Sequence, residues 1–346
     1  MKTYAAIINP GYNSVYFEKS KSLAAAETEI LGSSVAGGVK NVRVADIANV
    51  PYVVFDSESE LSGEDLNIIR SLSFFYALYE LRGGALLPVD TPETGFLDRG
   101  VGAMLKYTGK TNAIFTRMAI NIAVHVTGLY KKRPRLNILD PVAGKGTALF
   151  EALSCGYDAY GIEIDAKCAD EAYQFFKKYL ETAKYKHETS IQKITQKISG
   201  QRENKAFTAL RHNFTFAANK DDYKNKKTAV FEIIAGDSAY ADAYYKKRFF
   251  DAVIGDLPYG VRHGGVAGGK RERSPKELLA NCLPAWRSVL ATDGVLALSW
   301  NLFLLTRNEM ISILNENSFS AIDLPYDFEH RVDQAIKRDI IFAKNR

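Results

Sequence analysis

The chain has 346 residues, 47% hydrophobic and 25% charged, with a formal net charge of +5. Those proportions are ordinary for a soluble globular protein, and the length leaves room for two domains with sizeable cores. No apolar run reaches the ~18 residues of a membrane span.

The amino terminus, MKTYAAIINPG, lacks the long apolar stretch and small-residue cleavage site of a signal peptide. The three cysteines, Cys155, Cys168 and Cys282, show no CxxC or Cys/His ligand spacing, which argues against a metal site or a disulfide framework. A reduced, cytoplasmic setting is expected.

Tyr4–Asn9 is an apolar strand candidate, followed by an Ala-rich helix over Lys21–Leu31. Val42–Ile47 and Tyr52–Phe55 are short strands flanking a turn with Pro51. Ser62, with Asp65 three residues on, is the expected N-cap of a helix reaching about Leu81. Gly83-Gly84 ends that helix, and Ala85–Val89 is another strand. The order βαββαβ predicts an α+β, ferredoxin-like domain over residues 1–90.

A linker over 91–112 precedes a helix from Ala113 to about Gly128, where Ile114, Met118, Ile122 and Val126 recur at helical spacing. Strand and helix then alternate: Leu136–Leu139, 147–154, Ala159–Ile162, 166–180, Phe231–Ile234, Asp251–Gly255, 276–290 and Val295–Trp300. Ser320–Leu324 and Asp339–Lys344 supply the last strands. This order predicts a Rossmann-like α/β domain over 113–346, with a seven-stranded, mostly parallel, doubly wound sheet.

Charge is unevenly placed. Lys184–Lys227 holds 11 Lys/Arg against 4 Asp/Glu, a local excess of seven that leaves the remainder at −2. Such an insertion either touches a polyanion or is a solvated, highly charged helical excursion.

Three strand ends carry the chemistry. Asp140-Pro141-Val-Ala143-Gly144-Lys-Gly146-Thr147 occupies the first strand-to-helix turn, where glycines let the backbone approach a ligand. Glu163 ends the second strand, placed to accept the hydroxyls of a ribose, and Ile164 follows it. Asp237, with Ser238, follows the third and is placed to bind an adenine amine. A dinucleotide site would want a third glycine where Leu149 stands. A phosphate loop fails as well, because Lys145 is followed by Gly146. An acid-led loop suits a cation, and S-adenosylmethionine is a cationic nucleoside without phosphate. The candidate cofactor residues are Asp140, Pro141, Ala143, Gly144, Gly146, Thr147, Glu163, Ile164, Asp237, Ser238 and Asp256.

The fourth strand end reads Asp256-Leu257-Pro258-Tyr259-Gly260. Asp256 and the Leu257 carbonyl are placed to accept hydrogen bonds from a planar exocyclic amine, Pro258 shapes the turn, and Tyr259 can stack on the base. These four are the catalytic candidates, for a direct displacement that requires alignment rather than a nucleophilic side chain. The Gly-rich, basic stretch after them offers Gly260, Arg262, His263 and Lys270 as substrate contacts. Arg331 lies in a polar cluster, 328–339, that either lines the substrate side or braces a hairpin with ion pairs, the second being favoured.

DPVAGKGTALFEA, the acid of YGIEID, AGDS and DLPYG resemble successive motifs of class I amino-methyltransferases. With KYTGKTNAIFTRMAINIA before them, residues 95–346 resemble the THUMP-associated tRNA guanine-N2 methyltransferase group. The resemblance implies a ferredoxin-like amino-terminal domain, a methyltransferase domain, S-adenosylmethionine as cofactor and RNA, specifically tRNA, as substrate. Two features depart from that pattern. Only about 100 residues precede the linker, room for the ferredoxin-like unit but not for a THUMP domain as well. The 184–227 insertion has no counterpart in the pattern, and one reading is that it supplies part of the RNA grip. Rival readings are a DNA adenine or cytosine amino-methyltransferase, a protein-glutamine methyltransferase and a non-catalytic RNA-binding protein.

Overall fold

The computed structural model describes residues 1–9, 14–92, 95–105, 107, 110–133, 135–197, 206–258 and 274–346. Its amino-terminal sheet is built from β1 (Lys2–Ile8), α1 (Ser14–Gly32), β2 (Lys40–Ile47), β3 (Val50–Ser57), α2 (Gly63–Ser71), β4 (Phe75–Arg82) and β5 (Ala85–Val89). The strand order is β2-β3-β1-β4-β5, antiparallel throughout. This is the ferredoxin-like arrangement with one added edge strand.

Ser62 caps α2 as expected, in a reciprocal box with Asp65. The helix does not reach Leu81, however; it stops at Ser71, and Phe75–Arg82 is a central strand. Two local forces explain this. FYALYELR is rich in aromatic residues that favour strands, and Ser73 is fixed outside the helix by the buried Glu27 carboxylate. Glu27 accepts the Ser73 N–H at 3.0 Å and its hydroxyl at 2.5 Å.

Next come α3 (Val101–Met104), α4 (Ala113–Val126) and α5 (Leu129–Lys132). The expected linker is not a loose tether. Phe96 donates its N–H to the Leu153 carbonyl at 2.9 Å, and Leu97 is buried. Gly95 has φ +105°, and a Cβ there would sit 2.2 Å from the Ser154 carbonyl oxygen, so only glycine fits.

The second sheet is formed by β6 (Asn137–Asp140), α6 (Thr147–Ser154), β7 (Asp158–Glu163), α7 (Ala166–Thr182), β8 (Lys186–Lys197), β9 (Ala206–Ala217), α8 (Lys220–Lys224), β10 (Ala229–Ala235), α9 (Ala241–Tyr244), β11 (Phe250–Asp256), α10 (Pro275–Val289), β12 (Leu290–Asn301), α11 (Arg307–Glu316), β13 (Phe319–Ala321), β14 (His330–Arg331) and β15 (Lys337–Asn345). Strands run β13-β15-β12-β11-β6-β7-β10-β9-β8, with β14 on β15. The five from β12 to β10 are parallel, and β15 is antiparallel to its neighbours. The path from β13 to β10 is the doubly wound, Rossmann-like class I methyltransferase order.

The sheet is wider than the seven strands expected. The charged insertion is not a helical excursion: β8 and β9 form a hairpin, and β9 adds antiparallel to β10. Alternation explains it. His212, Phe214 and Phe216 are buried on one face, and Phe214 and Phe216 pack around Phe176 of α7. Charge on the other face masks a strand of period two.

The two sheets share one apolar core that runs from Leu23 and Ile30 of α1 through Ile122 of α4 to Ile138 and Phe231. Glu27 ties them as well, because it also accepts the side-chain amide of Asn121 in α4 at 2.8 Å. Among the described residues, no helix is long and apolar enough to cross a membrane.

Candidate active site

Connections from β6 leave toward β7 on one side, and β11 joins it on the other, so the strand order reverses between β6 and β11. A crevice opens at the carboxyl ends of such a pair. Here it is a cavity of about 310 Å³ whose lining includes Asp140, Ala143, Gly144, Thr147, Glu163, Asp256, Leu257 and Pro258. Three strand-end carboxylates thus converge on one space, over an apolar floor that includes Phe115, Ile254 and Ile340.

Asp140 is 5% exposed, and its Oδ1 accepts the Val142 N–H at 3.0 Å. Burial pushes its carboxyl up to about 8, and Glu163 and Asp256 add like-charge repulsion. Glu163 is also raised by burial. Its two oxygens accept main-chain N–H groups of Gly144 at 2.7 Å and Asp165 at 2.8 Å, which fixes the carboxylate at the rim. Gly144 has φ +53°, and a Cβ there would meet nothing within 4 Å. The loop backbone is therefore open to the cavity at that point.

Asp256 ends β11 and is held from three elements. Ser299, its partner across β12, donates its hydroxyl to Oδ1. Thr111, just before α4, donates to Oδ2. The Arg338 Nη2 lies 3.5 Å from Oδ2. Leu257 donates its N–H to the Ser299 carbonyl at 2.8 Å, which sets the course of the turn.

Other candidates lie elsewhere. Pro141 is outside the lining and lies beside Gly255, where an added Cβ would come 3.6 Å from its Cδ, and Gly146 is the N-cap of α6 at φ +87°. Ile164 is 59% exposed and outside the lining. Asp237 caps the short 3-10 turn Ser238–Tyr240 by accepting the Ala239 N–H. Ser238 is buried, with its hydroxyl toward Cys282 and its carbonyl accepting from Trp286. Neither Asp237 nor Ser238 lines the cavity. Arg331 is exposed and donates to the Asp333 and Gln334 carbonyls in the β14–β15 turn. Nearby ion pairs Lys337–Glu329 and Arg307–Asp339 brace that hairpin. Tyr259, Gly260, Arg262, His263 and Lys270 lie outside the described residues.

Four residues at the site carry no local signal strong enough to find them. Tyr107 and Thr111 sit in the polar turn before α4, Ser299 at the end of β12 and Arg338 on β15. The Tyr107 hydroxyl is 3.2 Å from the Thr147 Oγ1, and the Lys145 ammonium lies 4.9 Å from its ring centre. Tyr107 thereby covers the glycine turn. A turn seven residues before a helix is a weak cue, and only the assembled sheet reveals Ser299 and Arg338.

No family model matches the chain, and no curated protein matches it. Solved structures do resemble it at low identity. TrmN from Thermus thermophilus aligns over 100% of both chains at 12% identity, TM-score 0.45. Magnesium protoporphyrin IX methyltransferase from Synechocystis, solved with bound cofactor, covers 69% of this chain and 87% of its own at 16% identity, TM-score 0.38. Ribosomal protein L11 methylase from Lactobacillus delbrueckii covers 66% and 80% at 14% identity, TM-score 0.36.

Proposed function

We propose that the protein is an S-adenosylmethionine-dependent methyltransferase acting on the exocyclic amine of a nucleic-acid base, guanine N2 of tRNA being the favoured target. One observation carries this reading: Asp140, Glu163 and Asp256 face a single cavity at the switch point of the sheet.

The residues suit such a cofactor. Asp140 and Asp256 favour a cation and would repel a pyrophosphate. Glu163 keeps acceptor capacity for ribose hydroxyls beyond its main-chain contacts. Gly144 admits the nucleoside without a side-chain obstacle. The cofactor brings an electrophilic methyl group; the chain's task is alignment and charge.

Asp256 accepts an N–H of the target amine, and Leu257 offers its carbonyl to the second. Ser299, Thr111 and Arg338 hold the Asp256 carboxylate in one orientation, so its acceptor geometry is preorganised. With the cofactor bound, the N–C bond would form as the methyl–sulfur bond breaks, leaving neutral S-adenosylhomocysteine, and the positive charge growing on nitrogen would be stabilised by the neighbouring Asp256 carboxylate. The extra proton on nitrogen would then pass to solvent, directly or by way of Asp256. The preference for RNA over DNA or protein rests on the resemblance of the motif series to the guanine-N2 group.

Calorimetry with S-adenosylhomocysteine and S-adenosylmethionine tests the cofactor assignment. Wild-type protein is expected to bind both, and Glu163→Gln to weaken both. Absence of binding to either would refute it.

A further inference from the structure

A second cleft of about 660 Å³ lies between the amino-terminal sheet and the catalytic sheet and shares Thr111 with the cofactor cavity. Among the described residues, five cations line it, Arg70, Arg99, Lys110, Arg117 and Arg338, against one acid, Glu151. Glu151 is engaged by Arg117, Oε2 to Nε at 2.8 Å, with both side chains buried. Arg338 faces Asp256.

Arg99 and Lys110 meet main-chain carbonyls instead of acids. Arg99 donates to those of Arg70 and Leu72, and Lys110 to those of Gly102 and Leu105. Carbonyls satisfy the hydrogen bonds but leave the charge. Burial and the neighbouring Arg117 bring Arg99 down to about 10, so it stays charged at neutral pH. The Arg117 Nη2 is buried and finds no hydrogen-bond partner among the described residues. At the cleft wall Tyr76 is 67% exposed.

Cations in excess, an exposed ring and a shared wall with the Asp256 site are the features of a nucleic-acid backbone site. We propose that this cleft holds the phosphodiester beside the target nucleotide, through Arg70, Arg99 and Lys110, while Tyr76 stacks on an adjacent base. The inference rests on the functional reading above. A strand lying here would carry its phosphates across the mouth of the cofactor cavity and turn one base past Thr111 to Asp256. The amino-terminal unit would then form one wall of the substrate site, with Arg70 and Tyr76 as its contribution.

The test is fluorescence anisotropy with a labelled, mixed-sequence single-stranded RNA, repeated with labelled total tRNA over a salt series. The variants are Arg70→Gln/Lys110→Gln and, separately, Tyr76→Ala, which removes an exposed ring and leaves the core intact. The charge variant is expected to bind at least about tenfold more weakly, with a salt slope shallower by about 1.4, two contacts at the single-strand value. Tyr76→Ala is expected to lose about tenfold with its salt slope unchanged. S-adenosylhomocysteine affinity should stay at the wild-type value in both. If wild-type protein binds RNA and both variants bind it equally well, the cleft assignment is wrong and the functional reading stands. If wild-type protein binds the cofactor but neither RNA probe, the RNA reading and the cleft assignment fall together.

Discussion

Arg338 reaches from β15 across β12 to Asp256 at the tip of β11, with its Nη2 3.5 Å from the Asp256 Oδ2. The Arg338 side chain is 4% exposed and that of Asp256 19%. The same guanidinium lies 5.2 Å from the Phe115 ring centre. The carboxylate proposed to recognise the amine is thus held by the antiparallel strand next to β12.

Removing the carboxylate separates binding from chemistry. Asp256→Asn is expected to bind S-adenosylhomocysteine near normally while methyl transfer falls by about 10²–10³. Single-turnover kinetics at saturating cofactor is the check. A variant that turns over at the wild-type rate removes Asp256 from the mechanism.

The Arg338–Asp256 pair makes a double-mutant prediction. Arg338→Met leaves a largely buried carboxylate without its cation and should cost about 3 kcal/mol. Adding Asp256→Asn should restore much of that stability but none of the activity. Urea unfolding of the four proteins measures the coupling, and strictly additive losses would show that the pair is not formed in solution.

Asp140 gives a pH dependence with a definite sign. Its carboxyl stands at about 8 in the folded protein against an ordinary 3.8. Folded protein therefore holds a proton that the unfolded chain releases, and this group's contribution to stability falls as pH rises from about 3.8 to about 8. A cationic ligand prefers the ionised form, so binding below pH 8 must expel that proton. Cofactor affinity should rise with pH up to about 8 and then level, and Asp140→Asn should flatten the profile. Calorimetry in buffers of different ionisation enthalpy counts the proton directly.

Gly95 tests how the segment before α3 docks. Gly95→Ala faces both φ +105° and the Ser154 carbonyl, and should cost at least about 2 kcal/mol. Gly83→Ala, with φ +56° and open space around its Cβ, should cost only about 1 kcal/mol. Equal losses would mean that the contact with Ser154 contributes nothing.

The β8–β9 hairpin offers a separate electrostatic prediction. Changing Lys193 and Lys197 on β8, together with Arg202 and Lys205, which lie outside the described residues, to Glu should weaken RNA binding and reduce its salt slope if the 184–227 insertion grips the polyanion. Unchanged affinity would leave the hairpin as a sheet extension alone.

What could be read along the chain was whatever repeats at the end of a parallel strand. Asp140, Glu163 and Asp256 each follow an apolar run, and the sheet brings their ends together, so local pattern and tertiary position agree. Asp237 follows a strand in a similar way, two residues past β10, yet its carboxylate caps a 3-10 turn; sequence position alone does not show where a side chain is aimed. Phe75–Arg82 was hidden because Leu66, Ile69 and the residues after them continue a plausible helical period, and the stop comes from Glu27, 46 residues upstream of Ser73. The hairpin was hidden by its charge, although Phe214 and Phe216 alternate in plain view. Arg338 falls in the polar cluster over 328–339, but its role depends on a partner 82 residues away.

The most direct test of the central claim is transfer of a labelled methyl group from S-adenosylmethionine to total tRNA, rRNA, DNA or protein, followed by digestion to nucleosides or amino acids. Label recovered as N2-methylguanosine from the tRNA fraction, and lost with Asp256→Asn, is the predicted result. Label in DNA or on glutamine would move the substrate class, and cofactor binding without transfer to any pool would contradict the assignment of Asp256 to methyl transfer.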